Sequence, residues 1–244
     1  MLFRSGVSYS CSGPGMGVEP DADITNSKNG KATKISVEIK NVVVDSNGEG
    51  DYLSLNLAIE AGEKKIYIKN GTYETSETIL ISYDNVSIEG EDKDKVKIIQ
   101  TDEQKDLLKM AADNISIKNI TLDTETHNAQ AALVEGGGSY ITVENNNIFG
   151  GSKIFALFFA GPPVSSEGSN IGSTEKDETI DVYLGNGESN FDFSKYNVIS
   201  NNTIRSSFSG DGVSFSMQQF GEFKDNEITG GMISVYMDKD TTVS

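Results

Sequence analysis

The chain has 244 residues and a formal net charge of −17, from 37 acidic and 20 basic residues. This charge disfavours nucleic acid and anionic lipid as partners, because no basic stripe would release their counterions. The single cysteine leaves no internal disulfide or cysteine-based zinc site, and no apolar run reaches the ~18 residues of a membrane span.

Residues 1–34 are expected to be a leader or tether, followed by one domain over residues 35–244. The first five residues show no signal-peptide pattern. Cys11 is followed by a stretch rich in Ser, Gly, Pro and Asp, which resembles the lipid-anchored end of a bacterial lipoprotein. The alternative is an ordinary cysteine in a loop-like leader, which the absence of a preceding hydrophobic segment favours.

The first regular elements are expected after residue 50. The stretch DYLSLNLAIEAG (51–62) predicts a short amphipathic helix between an aspartate and a glycine, with Leu53, Leu57 and Ala61 on its apolar face. The stretch KKIYIKNGTYETSETILIS (64–82) predicts two strands around an Asn-Gly turn.

One short pattern then recurs along the chain. Its apolar column consists of Ile88, Ile117, Val143, Ile199 and Phe223. Two residues later comes a small or polar column: Gly90, Asn119, Asn145, Asn201 and Asp225. The steps in this second column are 29, 26, 56 and 24 residues, and the longest step is interpreted as about two coils. A period of this length with short strands is typical of a solenoid.

Asparagine in the second column indicates corners between strands. Its side chain tolerates left-handed backbone angles, and stacked amides can hydrogen-bond from coil to coil. In SYITVENNNIFGG (139–151), Asn145, Asn146 and Asn147 are therefore predicted to form a corner and not a strand. The predicted fold is an all-β, right-handed parallel β-helix in which the helix at 51–62 caps the open N-terminal end.

Two further segments interrupt or end this pattern. Residues 161–178 carry Pro162-Pro163 followed by Ser, Gly, Asn and Glu, so they are predicted to form an inserted loop. The last residues end shortly after a strand without a capping pattern, so the chain is expected to be a fragment that lacks its C-terminal coils.

Two blocks carry a family resemblance. Residues 41–99 contain a Val-rich strand, a Gly-x-Gly-Asp turn, an Ala-Ile helix, a strand ending in Gly-x-Tyr and a strand ending in a glycine turn. Residues 128–151 contain Gln130 followed by alanines and apolar residues, then the corner Ile148-Phe149-Gly150. Together these blocks resemble the pectin methylesterases, a family with the pectin-lyase-like right-handed β-helix fold.

The resemblance implies a site for methyl ester hydrolysis. It places Gln130 in the oxyanion site and Asp181, in TIDVYLGNG (179–187), as the nucleophile. Where the family has a Gln-Asp pair after the corner glycine, this chain has Ser152 and Lys153. A lysine cannot replace the proton-donating aspartate, so Lys153 could only steady the oxyanion or lower the pKa of Asp181.

Several other polar residues are candidates for a site. Arg205 does not match the family's substrate-orienting arginine and is expected to be a surface partner of an acid. His127 is expected to be solvated, with a role in binding an uncharged sugar as the alternative. Asp123 and Glu125 could help bind Ca²⁺, but no specific motif supports a cofactor, and two solvated acids are the simpler interpretation. Asp211 is expected in a turn.

Two functions of different classes remain open. One is an esterase acting on methyl-esterified pectin through Asp181 and Gln130. The other is a non-catalytic β-helix of a secreted or cell-surface protein that binds a glycan or forms a stalk, which Lys153 and the shortage of arginine favour. An esterase and a glycan-binding protein both imply a polysaccharide partner, such as pectin or another plant or cell-surface glycan. IFALFFAG (154–161) is expected to be a buried strand, with Phe158 or Phe159 as a sugar-stacking platform as the alternative.

Overall fold

The computed structural model describes residues 24–28, 31–35, 41–159, 193–236 and 240–244. Over the parts from residue 41 onward, nearly every strand belongs to one of three parallel sheets. The first sheet contains β3 (Val42–Val44), β4 (Lys65–Ile68), β7 (Ser87–Gly90), β10 (Ser116–Lys118), β13 (Thr142–Glu144), β17 (Val198–Ser200), β21 (Glu222–Lys224) and β24 (Thr242–Val243).

The other two sheets supply the remaining sides of the solenoid. The second sheet contains β5 (Gly71–Thr75), β8 (Val96–Gln100), β11 (Thr121–Asp123), β14 (Asn147–Gly150), β18 (Thr203–Ser206) and β22 (Glu227–Thr229). The third sheet contains β6 (Ile79–Ile81), β9 (Leu108–Met110), β12 (Leu133–Glu135), β15 (Leu157–Phe159), β19 (Asp211–Ser216) and β23 (Met232–Tyr236).

The chain visits the three sheets in turn and thereby forms six complete coils within the described ranges. We call the connections between the first and second sheets, the second and third sheets, and the third and first sheets the first, second and third corners. This architecture confirms the predicted all-β, right-handed parallel β-helix. Two short pairs lie outside the three sheets: antiparallel β1 (Ile24–Lys28) and β2 (Lys31–Ile35), within the expected leader, and parallel β16 (Ser194–Lys195) and β20 (Gln218–Gln219).

The core is built from side chains of the same register stacked from coil to coil. In the first sheet the predicted apolar column is confirmed, because Ile88 pairs with Ile117, Ile117 with Val143, and so on to Phe223. All of these side chains are buried. Alternation along each short strand directs every second residue inward, and several strands bury two apolar residues in this way, such as Ile66 and Ile68 of β4.

Helix α1 (Leu55–Glu60) lies against the first coils and contacts β3, β4 and β6. It begins later than predicted because Ser54 is its N-cap, and the Ser54 hydroxyl accepts a hydrogen bond from the Leu57 N–H at 3.4 Å. The buried face consists of Leu55, Ala58 and Ile59. The predicted apolar face was wrong, since Leu53 precedes the helix and both Leu53 and Leu57 are exposed.

The segment 64–82 contains three strands and not the predicted two. β4, β5 and β6 each belong to a different sheet, so the Asn70-Gly71 connection turns a solenoid corner and does not close a hairpin. The partner of each strand comes from the next coil, as in the pairing of Gly71 with Val96.

The long step in the repeat is one coil and not two. β13 pairs directly with β17, β14 with β18 and β15 with β19, although the paired residues are 56 positions apart. The interpretation as two coils was wrong because spacing alone does not distinguish an extra coil from an insertion. Residues 160–192, with the predicted loop at 161–178, lie outside the described residues.

The first corner is held by asparagine side chains, as predicted. Its left-handed residues are Asn119, Asn145, Asn201 and Asp225, with φ between 54° and 58°. Asn145 Nδ2 donates to Asn119 Oδ1 at 2.7 Å. The next residue in three of these corners is also asparagine, and these amides form a second ladder on the inner side: Asn146, Asn202 and Asn226.

The inner ladder connects each coil to the one before it. Asn202 Oδ1 accepts the Asn146 N–H at 2.9 Å, and Asn202 Nδ2 donates to the Val143 carbonyl at 3.0 Å. Asn146 and Asn202 are completely buried or nearly so. The prediction was wrong for Asn147, which begins β14 and donates from Nδ2 to Asp94 Oδ1 at 2.9 Å.

Candidate functional site

Two of the three predicted catalytic residues lie together at the second corner. Gln130 and Lys153 belong to successive coils, and both contact Glu103, which lies one coil before Gln130 and two coils before Lys153. Gln130 Nε2 donates to the Glu103 carbonyl at 3.3 Å. Lys153 Nζ donates to the same carbonyl at 2.9 Å and forms an ion pair with Glu103 Oε2 at 2.8 Å.

This geometry limits what the second corner can do chemically. An oxyanion would need hydrogen-bond donors directed at an empty position, whereas the contacts of Gln130 and Lys153 are directed at Glu103. The Glu103 carboxylate is largely exposed, so its ion pair contributes at most about 1 kcal/mol. Asp181 lies outside the described residues, so its assignment as nucleophile stays a prediction.

Arg205 is the surface partner of an acid, as expected from the sequence. Arg205 Nε donates to Glu125 Oε2 at 2.8 Å, and the guanidinium lies 4.0 Å from the centre of the Phe149 ring. Ser207 Oγ donates to the other Glu125 oxygen at 3.1 Å. Arg205 therefore contributes to a surface cluster that joins neighbouring coils.

The acids considered for Ca²⁺ have separate partners. Asp123 accepts hydrogen bonds from the Thr126 N–H and hydroxyl, and Glu125 is engaged by Arg205. Among the described residues, no three His, Cys, Asp or Glu side chains are grouped to hold a metal. His127 is exposed. Asp211 was expected in a turn but is the first residue of β19, where the pairing with β23 shifts register.

The two candidate phenylalanines face opposite sides of β15. Phe159 is fully buried in the core, so the alternative of a sugar-stacking platform was wrong for this residue. Phe158 faces outward and stacks on Phe155, with 5.0 Å between ring centroids. It thus belongs to an aromatic cluster on the outside of the third sheet.

The third corner repeats one backbone conformation in coil after coil. A residue with φ between 51° and 66° occurs two positions before the start of each first-sheet strand from β7 onward: Asn85, Asn114, Tyr140, Tyr196, Phe220 and Asp240. The backbone N–H groups of the first four residues donate to carbonyls of the next coil, for example Tyr140 to Lys195 at 2.8 Å and Tyr196 to Gln219 at 3.0 Å. The spacing of the column is thereby fixed by the backbone.

Three aromatic residues of this column form an exposed stack, which we call the aromatic ladder: Tyr140, Tyr196 and Phe220. The ring centroids are 5.1 Å apart in both pairs, with interplanar angles of 18° and 20°. The side chains nevertheless remain 53%, 45% and 42% exposed, respectively. The rings therefore present a continuous apolar ribbon to solvent along the solenoid.

The backbone at the aromatic ladder is unfavourable for these side chains. Left-handed backbone costs roughly 1–2 kcal/mol for residues other than Gly, Asn and Asp, and a bulky residue there is a true outlier. Asn85 and Asn114 occupy the same position in earlier coils without this cost. Strained residues of this kind concentrate at functional sites, so the aromatic ladder is the candidate functional site.

The aromatic ladder was not predicted from the sequence, although the sequence carries a signal for it. Each ring comes three residues before the apolar column, in SYITV, KYNVI and QFGEF. The equivalent position in DNVSI and DNISI is asparagine. An alignment of the repeats on the apolar column and on the small or polar column places the three aromatic residues at one corner.

Comparison of the chain with models of known protein families and with curated proteins gives no match. The fold is thus shown by the structure, while membership of the pectin methylesterases stays a prediction. In the described ranges, no helix has the length and apolar character needed to cross a membrane.

Proposed function

We propose that the protein is a non-catalytic, glycan-binding β-helix whose contact surface is the aromatic ladder. The observation that carries the proposal is the stack of Tyr140, Tyr196 and Phe220 in left-handed backbone, exposed and fixed by hydrogen bonds between coils. Aromatic residues combine large apolar area with few rotatable bonds, so they bind a ligand with little loss of side-chain entropy.

The size of the surface favours a glycan over a protein partner. An aromatic side chain buries roughly 150–250 Å², so three half-exposed rings offer on the order of 300 Å². A stable protein interface requires about 800 Å² from each partner. A ribbon one residue wide is far below this requirement, whereas a single sugar chain needs no wider contact.

Charge narrows the class of glycan. A net charge of −17 repels a polyuronate with free carboxylates unless a cation bridges the two. An uncharged polymer, such as methyl-esterified pectin or another neutral plant or cell-surface polysaccharide, is not repelled. On this proposal the protein acts in the secreted or cell-surface compartment, where such polymers occur, and a lipid anchor at Cys11 is one way to hold it there.

A pectin methylesterase activity is the second candidate function. It is supported by the sequence resemblance and by the proximity of Gln130 and Lys153 at one corner, as the resemblance requires. It is disfavoured by the contacts of both residues with Glu103 and by a lysine in place of the expected acid. We therefore place binding ahead of catalysis.

The test of the proposed function uses the full chain and a matched pair of variants. Tyr196→Asn introduces the residue that the same corner carries at Asn85 and Asn114, so the backbone conformation is retained. Leu80→Ser removes an equally exposed apolar side chain from a different face and serves as the control. In affinity electrophoresis through neutral polysaccharides, we expect Tyr196→Asn to lose retardation and Leu80→Ser to keep it.

A methanol-release assay on esterified pectin separates the two candidates. We expect no release by the wild-type chain. Release that disappears in Asp181→Ala would overturn the non-catalytic proposal and favour the esterase.

A further inference from the structure

The left-handed column of the third corner is longer than the aromatic ladder. It begins with Asn85 and Asn114, continues through the three rings and ends at Asp240. One position therefore occurs in each coil, and the polar and aromatic positions lie on one line parallel to the solenoid axis. The hydrogen bonds between successive coils hold this line at the inter-strand spacing.

The stacking geometry determines which part of each ring is available. Neighbouring rings are nearly parallel and their centroids are only 5.1 Å apart, so their faces cover one another. A sugar cannot enter between them and instead contacts the outward edges. Aromatic edges carry partial positive charge and attract oxygen atoms such as sugar hydroxyls, and the two tyrosine hydroxyl groups add hydrogen-bonding capacity.

Building on the proposed function, we propose that the glycan runs parallel to the solenoid axis along the third corner, with one monosaccharide per coil. The ligand class is an extended, uncharged chain of β-1,4-linked pyranoses, because each sugar of such a chain advances by nearly the centroid spacing of the ladder. An α-1,4-linked chain advances less per sugar than the centroid spacing of the ladder. Asn85 and Asn114 provide hydrogen-bonding positions beyond the rings.

Other placements of a glycan fit the structure less well. A chain lying across the axis would touch a single coil and meet one ring only, because the aromatic ladder is one residue wide. The residues that directly precede the left-handed residues in sequence already bind backbone groups of neighbouring coils. Asp113 Oδ1 accepts the Ser139 N–H at 2.8 Å, and Ser139 Oγ accepts the Lys195 N–H at 3.0 Å. Only a glycan that runs parallel to the solenoid axis gains further contacts with the column as the glycan becomes longer.

The test is isothermal titration of the full chain with β-1,4-linked gluco-oligosaccharides of two, four, six and eight units. We expect Kd to fall by about tenfold from the disaccharide to the tetrasaccharide, as one further aromatic contact would produce, and to level off once the column is covered. Methyl-esterified α-1,4 galacturonides of the same lengths should bind more weakly. Tyr196→Asn should abolish the gain with length, and Leu80→Ser should retain it.

Each contrary result has a distinct meaning. Equal affinity for the disaccharide and the longest chain would overturn the axial arrangement and leave the proposed function standing. A full length dependence with the α-linked series, equal to that with the β-linked series, would overturn the ligand class. Absence of binding to every neutral glycan would overturn the proposed function itself, and circular dichroism of each variant excludes loss of the fold as the cause.

Discussion

The first and third corners place left-handed residues at equivalent points of successive coils, yet they use different side chains. At the first corner, Asn145 and Asn201 have φ of 54° and 56°; at the third, Tyr140 and Tyr196 have φ of 59° and 58°. The asparagines of the first corner agree with the backbone preference, and the tyrosines of the third do not. Backbone preference therefore accounts for the asparagines of the first corner but not for the tyrosines of the third, which our proposal assigns to ligand binding.

The energetic roles of the two corners differ in the same way. Inner amides of the first corner satisfy buried backbone groups that would otherwise be unpaired. Rings of the third corner satisfy no buried group, and each stacked pair contributes about 0.5–1.5 kcal/mol, which only offsets the backbone strain. Stability should thus depend strongly on the inner first-corner ladder and weakly on the aromatic ladder.

The largest effect is expected from Asn202→Ala. The change leaves the Asn146 N–H and the Val143 carbonyl buried without their partner, and each such group costs about 1–3 kcal/mol. We expect a loss of about 3 kcal/mol in the free energy of unfolding, measured by urea denaturation. Asn201→Gly is the control: it changes the neighbouring residue but retains its left-handed backbone conformation, so it should change the free energy of unfolding little. A smaller loss in Asn202→Ala than in the control would contradict the comparison.

Gly90→Ala tests the close approach of two coils at the same corner. A Cβ at this position would lie 2.1 Å from the Asn119 carbonyl oxygen, so the backbone would have to move. We expect destabilisation of about 2 kcal/mol, in the range of overpacked sites, by the same denaturation measurement. Gly136→Ala is the control for the loss of a glycine as such: its φ is not left-handed, and its Cβ would come no closer than 3.3 Å to another atom, the Cε of the flexible Lys109 side chain. A Gly90→Ala loss no greater than that of Gly136→Ala would show that the coils can separate at low cost.

At the third corner, Tyr196→Asn should separate stability from binding. Removal of two stacked contacts is offset by relief of the left-handed strain, so the free energy of unfolding should change by less than about 1 kcal/mol. Neutral-glycan affinity should fall by about tenfold in the same protein. A large loss of stability with unchanged binding would make the aromatic ladder a structural device and not a site.

The smallest expected effect concerns pH and the early part of the first corner. Here Glu91 takes the place of the ladder amide, since its Oε2 accepts the Asn70 N–H at 3.0 Å and its Oε1 pairs with Lys69. The hydrogen bond from Asn70 and the contact with Lys69 lower the pKa of Glu91 from its usual 4.5. The stabilisation is therefore present above pH 4.5 and is lost as the pH falls through the lowered pKa.

The Glu91→Gln variant tests this assignment. Glutamine keeps an acceptor for the Asn70 N–H but does not titrate, so the difference in Tm between neutral and acidic pH should be smaller than in the wild type. Lys69→Met, which removes only the charge partner, is the companion variant. An unchanged pH dependence in Glu91→Gln would assign the acid sensitivity of this corner to other carboxylates.

The sequence predicted features that local rules control. The inward column from Ile88 to Phe223 follows from strand alternation, and the corner asparagines follow from left-handed backbone preference. Coil count and helix face failed, because an insertion has the same spacing as an extra coil and because Ser54 moved the helix start. The aromatic ladder was missed because stacking between coils depends on register, which a single stretch of sequence does not contain.

The direct pairing of β15 with β19 has a consequence for how this chain tolerates insertions and deletions. Phe159 and Phe193 flank residues 160–192, and the strands on either side of this segment pair in register across a step of 56 residues. Doubling the length of a flexible loop costs only about 0.6 kcal/mol of closure entropy. One residue added within Asn145–Asn146 would instead reverse inward and outward side chains in the following strand. Among homologues of this chain, insertions and deletions should therefore be common between Phe159 and Phe193 and rare at the corners.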